Sequence, residues 1–145
     1  MTTEVSPEEA RKLWVEALRS GKYNQTKNVL RDIDDQGVPT AYCCLGVACE
    51  VYVETTGRGR WIPDSSVFSA GDSFEQSTTI MLPPIVQNWL GLATTAGAFD
   101  EGGNTLIEVN DGGSTFDEIA DIIENKPDLL SPSSAKYTPP PNFPN

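Results

Sequence analysis

The residues from Cys43 to Glu54 are nearly all apolar or small, and this run constrains the fold more than any other part of the chain. It is long for one strand, and its length favours a helix. Three β-branched residues, Val47, Val51 and Val53, favour a strand instead, because branching at Cβ restricts the side chain in a helix. Length decides between the two, and the sequence predicts a buried helix.

The same run holds all three cysteines of the chain, at positions 43, 44 and 49. Structural zinc needs about four thiolate or imidazole ligands, and this chain has three thiols and no histidine. We therefore predict no metal site and interpret the cysteines as small buried hydrophobic residues that allow close packing beside Gly46 and Ala48. The alternative is one reactive thiolate, Cys43 or Cys44, whose pKa the amino terminus of the helix lowers.

Three further helices are predicted from N-terminal capping residues, apolar residues at helical spacing and a terminating glycine or proline. Ser6 with Glu9, and Thr115 with Glu118, have the spacing of capping boxes. The helices run from Ser6 to Gly21, from Pro83 or Pro84 to Gly91, and from Thr115 to Pro127.

Short strands are predicted between these helices. Residues 23–42 form a hairpin around the turn "DDQG" at 34–37, and strand-like pieces occur around 67–69 and 78–81. The glycines of residues 54–61 indicate a loop. The predicted fold class is α+β: one small domain over residues 1–126, in which about four helices pack with short β-hairpins.

Residues 127–145 form a separate segment in this prediction. They contain six prolines and end in "TPPPNFPN", a composition that favours extended geometry over packing. We therefore predict a proline-rich C-terminal tail.

Charge and composition exclude several classes of function. The formal net charge of −11 argues against a duplex nucleic acid held through its phosphates, and no apolar run reaches the ~20 residues of a membrane span. The first residues lack the basic start of a secretory signal, so we expect a cytoplasmic protein. Without histidine, the Ser-His-Asp, Cys-His and most zinc hydrolase mechanisms are excluded. No cofactor is indicated, and we predict that the protein is not an enzyme.

Residues 110–116 invite two further interpretations. Asn110, Asp111 and Gly112 suggest a calcium loop, but the alternating oxygen ligands and the final glutamate of such a loop are missing, so a turn is favoured. The following "DGGSTF" at 111–116 offers either amide donors at a helix amino terminus or a capped turn.

A ligand site is indicated by cations, aromatic residues and an amide in two segments, 20–31 and 57–61. Guanidinium groups suit phosphate and aromatic planes suit a base, so the two segments together would bind a small phosphorylated ligand. The alternative is that these cations are scattered and solvated. The predicted ligand-binding residues are Lys22, Tyr23, Gln25, Lys27, Arg31, Arg58, Arg60 and Trp61.

The segments "WVEALRSGKYNQTKNVLR", "YCCLGVACEVY", "LPPIVQNWLGL" and "NDGGSTFDEIADIIE", in this order, resemble a widespread family of small proteins of tailed bacteriophages. The resemblance covers nearly all of residues 14–124. It implies a phage-encoded, single-domain protein with a role outside essential replication chemistry. With the cytoplasmic location expected from the first residues, such a protein would act in the host cytoplasm.

Two functions are compatible with that resemblance. The first is a non-enzymatic binding protein that sequesters a nucleotide immune signal or blocks a host defence protein. The second is a virion-associated structural or decoration protein that docks through its proline-rich tail. A homo-oligomer is compatible with both.

Overall fold

The computed structural model describes residues 5–71, 73–100 and 102–126, and it confirms the predicted small α+β domain. The helices are α1 (Pro7–Arg19), α2 (Cys44–Thr56), α3 (Pro84–Leu90), α4 (Leu106–Asp111) and α5 (Phe116–Asn125), with a 3₁₀ turn at Phe74–Gln76. The strands are β1 (Arg31–Ile33), β2 (Pro39–Tyr42), β3 (Arg60–Trp61), β4 (Phe68–Ser69) and β5 (Ser77–Thr78). The predicted tail, residues 127–145, lies outside the described residues.

Helix α2 forms the centre of the domain, as the apolar run predicts. Cys43 is its N-cap, and Gly57 ends it in the left-handed conformation. Helices α1, α3 and α4 all pack against α2, and the residues from Cys44 to Cys49 are completely or almost completely buried. The indole nitrogen of Trp14 in α1 donates to the carbonyl of Cys44 at 2.9 Å, so the α1–α2 contact includes a buried hydrogen bond.

Two small antiparallel sheets flank α2. Strands β1 and β2 form the predicted hairpin around the turn at 34–37, with Arg31 opposite Tyr42. Strands β3, β4 and β5 form a second sheet, in which Trp61 pairs with Phe68. The prediction of a loop over residues 54–61 was wrong at both ends, because α2 continues to Thr56 and residues 60 and 61 form β3. Strand β3 forms because it pairs with β4, and the local sequence of residues 54–61 gives no sign of that partner.

Helix α4 corrects the prediction of a turn at residues 110–112. Asn110 and Asp111 form the last turn of this helix, and Gly112 is its C-cap. Thr105 and Glu108 form a complete capping box at its start. This is the same four-residue pattern from which the first and last helices were predicted, so the sequence contains a signal for α4.

Helices α1 and α5 pack side by side and are joined at their surface by Arg19. Its guanidinium binds the carboxylates of Asp121 and Glu124, both at 2.7 Å. These charges are largely exposed, so the pairs contribute little to stability, and the buried apolar face of α5 holds the two helices together. Within the described residues, no helix combines the length and the apolar character needed to cross a bilayer.

Candidate functional site

The three cysteines are buried and unpaired, which confirms their interpretation as interior residues. The Cys43 sulfur accepts a hydrogen bond from the backbone nitrogen of Gly46 at 3.4 Å, at the start of α2. Burial nevertheless raises the pKa of Cys43 to about 11. Burial also raises the pKa values of Cys44 and Cys49 well above the usual range. The alternative, a thiol pKa lowered by the helix terminus, is therefore wrong, because the loss of hydration outweighs the amide hydrogen bonds.

A different group of side chains forms where β1, β2, α2 and β3 meet. Arg31 begins β1 and faces Tyr42 across the hairpin, while Trp61 ends β3. The guanidinium carbon of Arg31 lies 4.4 Å from the centroid of the Trp61 ring, a cation–π arrangement. The Nε of Arg31 donates to the carbonyl of Ser65 at 3.0 Å. Two separate β-sheets thus contribute a cation and an aromatic plane to one place.

Glu50 of α2 connects the aromatic members of this group. Its Oε2 accepts from the indole nitrogen of Trp61 at 2.8 Å and from the hydroxyl of Tyr42 at 3.2 Å. Burial raises the pKa of Tyr42 to about 12, with a further contribution from Glu50, while Arg31 acts in the opposite direction. We call Arg31, Tyr42, Glu50 and Trp61 the Arg31 cluster.

The Arg31 cluster continues towards the end of α1 through Tyr23. The rings of Tyr23 and Tyr42 meet edge to face with centroids 5.3 Å apart, and those of Tyr42 and Trp61 with centroids 5.9 Å apart. The ammonium of Lys22 lies 5.6 Å from the centroid of the Tyr23 ring. Four of the eight predicted binding residues therefore follow one line: Lys22, Tyr23, Trp61 and Arg31.

The other four predicted residues do not join this line. The carboxamide nitrogen of Gln25 donates to the side chain of Asn110 at 2.8 Å and to the carbonyl of Ser114 at 2.7 Å, and so holds its loop against α4. Lys27, Arg58 and Arg60 are exposed, and within the described residues none of the three forms an ion pair or a cation–π contact. Arg60 precedes Trp61 in β3, and alternation along a strand directs its side chain to the opposite face.

Two members of the Arg31 cluster, Tyr42 and Glu50, were missed in the sequence. Glu50 is the one charged residue between positions 43 and 53. A carboxylate in an otherwise apolar buried helix needs hydrogen-bond partners, so its presence was a usable signal. Tyr42 carried no such signal, since its place in the cluster depends on the pairing of β1 with β2.

Arg31 differs from the other cations in its burial. The residue is only 6% exposed, yet no carboxylate of the described residues forms an ion pair with it. Among the described residues, the ion pairs between side chains are those of Arg19 with Asp121 and Glu124. A buried cation is normally paired, because removal from water is costly. Arg31 is instead accompanied by the Trp61 ring, the Ser65 carbonyl and the side chain of Tyr42.

The amides of residues 112–115 do not offer a second anion site. The backbone nitrogens of Gly112, Gly113 and Ser114 donate to carbonyl groups of α4, and that of Thr115 donates to the Glu118 carboxylate at 2.8 Å. The capped-turn interpretation of "DGGSTF" is therefore correct. A shallow hollow of about 230 Å³ lies beside this turn and is lined by Leu18, Arg19, Gly21, Tyr23, Thr115, Phe116 and Asp117.

Comparison with known proteins places the chain in a family. Residues 7–127 match the model of a domain of unknown function, DUF8296. The chain belongs to the DUF8296 family. The DUF8296 match includes every predicted binding residue and the whole Arg31 cluster, and it ends where the proline-rich segment begins. Neither the curated proteins nor the solved structures contain a match to the chain.

Proposed function

We propose that the protein is a non-enzymatic binding protein that takes a small phosphorylated ligand at the Arg31 cluster. One observation carries the proposal: the guanidinium of Arg31, a residue that is only 6% exposed, lies over an indole ring and has no carboxylate partner among the described residues. An anionic ligand would supply the missing negative charge.

The chemistry of a stacked arginine supports a phosphate in particular. A guanidinium has five N–H donors in one plane, and here Nε is used by the Ser65 carbonyl. The contact with Trp61 uses a face of that plane, and Tyr42 interacts with the guanidinium from the side. The remaining donors at the edge match the spacing of phosphate oxygens. Lys22, at the other end of the aromatic line, adds a second positive charge for an extended anion.

The biological setting of the proposal comes from the resemblance of residues 14–124 to small proteins of tailed bacteriophages. We propose that the protein is phage-encoded and acts in the host cytoplasm, where it sequesters a nucleotide immune signal or blocks a host defence protein. A protein that sequesters a signal must bind it tightly and does not need to convert it chemically. The buried, protonated cysteines are consistent with that role.

Thermal unfolding with a panel of nucleotides and cyclic nucleotides tests the proposal. A ligand at one hundred times its Kd stabilises the folded state by about 2.7 kcal/mol. For a domain of this size, that free energy raises the Tm by roughly 9 °C. Calorimetric titration of the compounds that shift the Tm then gives their affinities.

Three variants locate the site in the same titrations. Arg31→Gln should weaken binding on the order of 10- to 100-fold, the range for a hydrogen bond to a charged group. Arg31→Lys should bind more weakly than wild type and more tightly than Arg31→Gln, because it keeps the charge but loses the planar fork. Lys12→Gln, which removes an exposed cation of α1, is the control and should bind normally. Flat melting curves for the whole panel, or normal affinity in a folded Arg31→Gln variant, would contradict the proposal.

A further inference from the structure

Glu50 places a carboxylate at the edge of the same indole ring on which Arg31 is stacked. Its Oε2 is occupied by Trp61 and Tyr42, whereas no donor among the described residues reaches its Oε1. Glu50 as a residue is only partly buried. The Arg31 cluster therefore combines an unpaired cation with an acceptor oxygen that has no partner in the described part of the chain.

We propose that Glu50 accepts hydrogen bonds from the sugar hydroxyls of the ligand, so that the site selects ribonucleotides over bare phosphate and over nucleotides without these hydroxyls. This inference rests on the proposed function, since it names the class of phosphorylated ligand that the Arg31 cluster takes. It adds Glu50, which is not among the binding residues predicted from the sequence, as the residue that determines specificity.

The positions of the two charges support this assignment. Arg31 lies over the face of the Trp61 ring at 4.4 Å, and Glu50 lies at its nitrogen edge at 2.8 Å. The two charged groups are thus about one ring apart, a span that the phosphate and the ribose of a single nucleotide can cover. The edges of Tyr42 and Tyr23 continue the same line and offer apolar surface to a base.

The sign of the Glu50 charge determines which ligands are rejected. An ionised carboxylate accepts hydrogen bonds and cannot donate them, and it repels a phosphate bound nearby. A nucleotide compensates for this repulsion by donating from its sugar hydroxyls to Glu50 while its phosphate stays at Arg31, whereas inorganic phosphate has no second group that reaches Glu50. Two hydrogen bonds from side chains hold the carboxylate on a buried helix, so little ordering is required when a ligand binds.

The experiment compares the four ribonucleoside 5′-monophosphates, their 2′,3′-dideoxy counterparts and inorganic phosphate in calorimetric titrations. Wild type should bind at least one ribonucleotide 10-fold or more tightly than its dideoxy counterpart. In Glu50→Gln this ratio should fall to about 1, and the affinity for inorganic phosphate should rise several-fold. The glutamine keeps an oxygen that can accept from Trp61 and Tyr42, so this variant preserves the internal hydrogen bonds.

Glu16→Gln is the control, because it removes the same charge from the exposed surface of α1. It should keep the preference for ribonucleotides. Equal affinity of wild type for both members of every pair, or an unchanged preference in Glu50→Gln, would overturn this inference while Arg31-dependent binding, and with it the proposed function, remained. Absence of binding by every probe, inorganic phosphate included, would overturn both.

Discussion

At the scale of single residues, Gly46 shows how closely the central helix is approached by its neighbours. A Cβ at this position would lie 1.9 Å from the carbonyl oxygen of Leu30 and 2.8 Å from its carbonyl carbon. Both atoms belong to the backbone that leads into β1 and Arg31, and the Leu30 carbonyl also accepts from the Cys43 nitrogen. The absence of a side chain at position 46 therefore sets the distance between α2 and the hairpin that carries half of the Arg31 cluster.

Gly46→Ala should be strongly destabilising for this reason. The backbone of Leu30 cannot move aside as a flexible side chain would, so we expect the free energy of unfolding to fall by about 3 kcal/mol or more. Urea denaturation measures the change. Gly57→Ala is the control at the end of the same helix, because a Cβ at this position meets no atom within 4 Å. Its free energy of unfolding should fall only by the cost of a left-handed backbone at alanine, about 1–2 kcal/mol. Equal losses in the two variants would contradict the steric explanation.

At the scale of elements, α5 depends on its capping box. The Thr115 hydroxyl accepts from the Glu118 nitrogen at 3.1 Å, and the Glu118 carboxylate accepts from the Thr115 nitrogen at 2.8 Å. These bonds satisfy two backbone groups that a helix end leaves without partners. The apolar face of α5 packs against α1, so the start of α5 also fixes one side of the domain.

Thr115→Ala should lower the free energy of unfolding by about 1 kcal/mol, the usual contribution of an N-cap side chain. Thr115→Ser keeps the accepting hydroxyl and should remain within a few tenths of a kcal/mol of wild type. Chemical denaturation monitored by circular dichroism compares the variants. An alanine variant as stable as the serine variant would show that the capping hydroxyl does not contribute.

At the scale of the whole molecule, buried thiol and phenol groups make the free energy of unfolding fall as the pH becomes alkaline. Cys43 has an ordinary pKa of 9.0 and a pKa of about 11 in the folded protein because of burial. The folded state therefore holds this proton more tightly than the unfolded chain does. The resulting stabilisation is fully present below pH 9 and is lost as the pH rises through 11. Tyr23 and Tyr42, both with pKa values of about 12 and raised mainly by burial, extend the decline above pH 10.

Cys43→Ser isolates the contribution of this thiol. A serine hydroxyl does not titrate in this range and can still cap α2, so the variant should lose less stability than wild type as the pH rises. A shift of two pKa units corresponds to about 3 kcal/mol. Between pH 8 and pH 11, wild type should therefore lose about 2–3 kcal/mol more of its free energy of unfolding than the variant. Urea denaturation under reducing conditions at both pH values measures this, and parallel losses would contradict it.

The sequence by itself determined the helices that carry their own local signals. The apolar run predicted α2 as a buried helix, and capping pairs predicted α1 and α5. A proline at the start and a glycine at the end predicted α3, and "DDQG" predicted the hairpin turn. These signals act between residues close in the chain, so they can be recognised without a fold. Helix α4 had the same kind of signal in Thr105 and Glu108 and was overlooked.

Only the tertiary structure decided which of the predicted binding residues come together. Arg31 meets Trp61 because β1 and β3, in separate sheets, both border α2, and Glu50 joins them from the helix itself. Gln25 was directed elsewhere by its bonds to Asn110 and Ser114. Such contacts join residues far apart in the chain, and residue type alone does not specify them. Their formation depends on how the elements pack around α2.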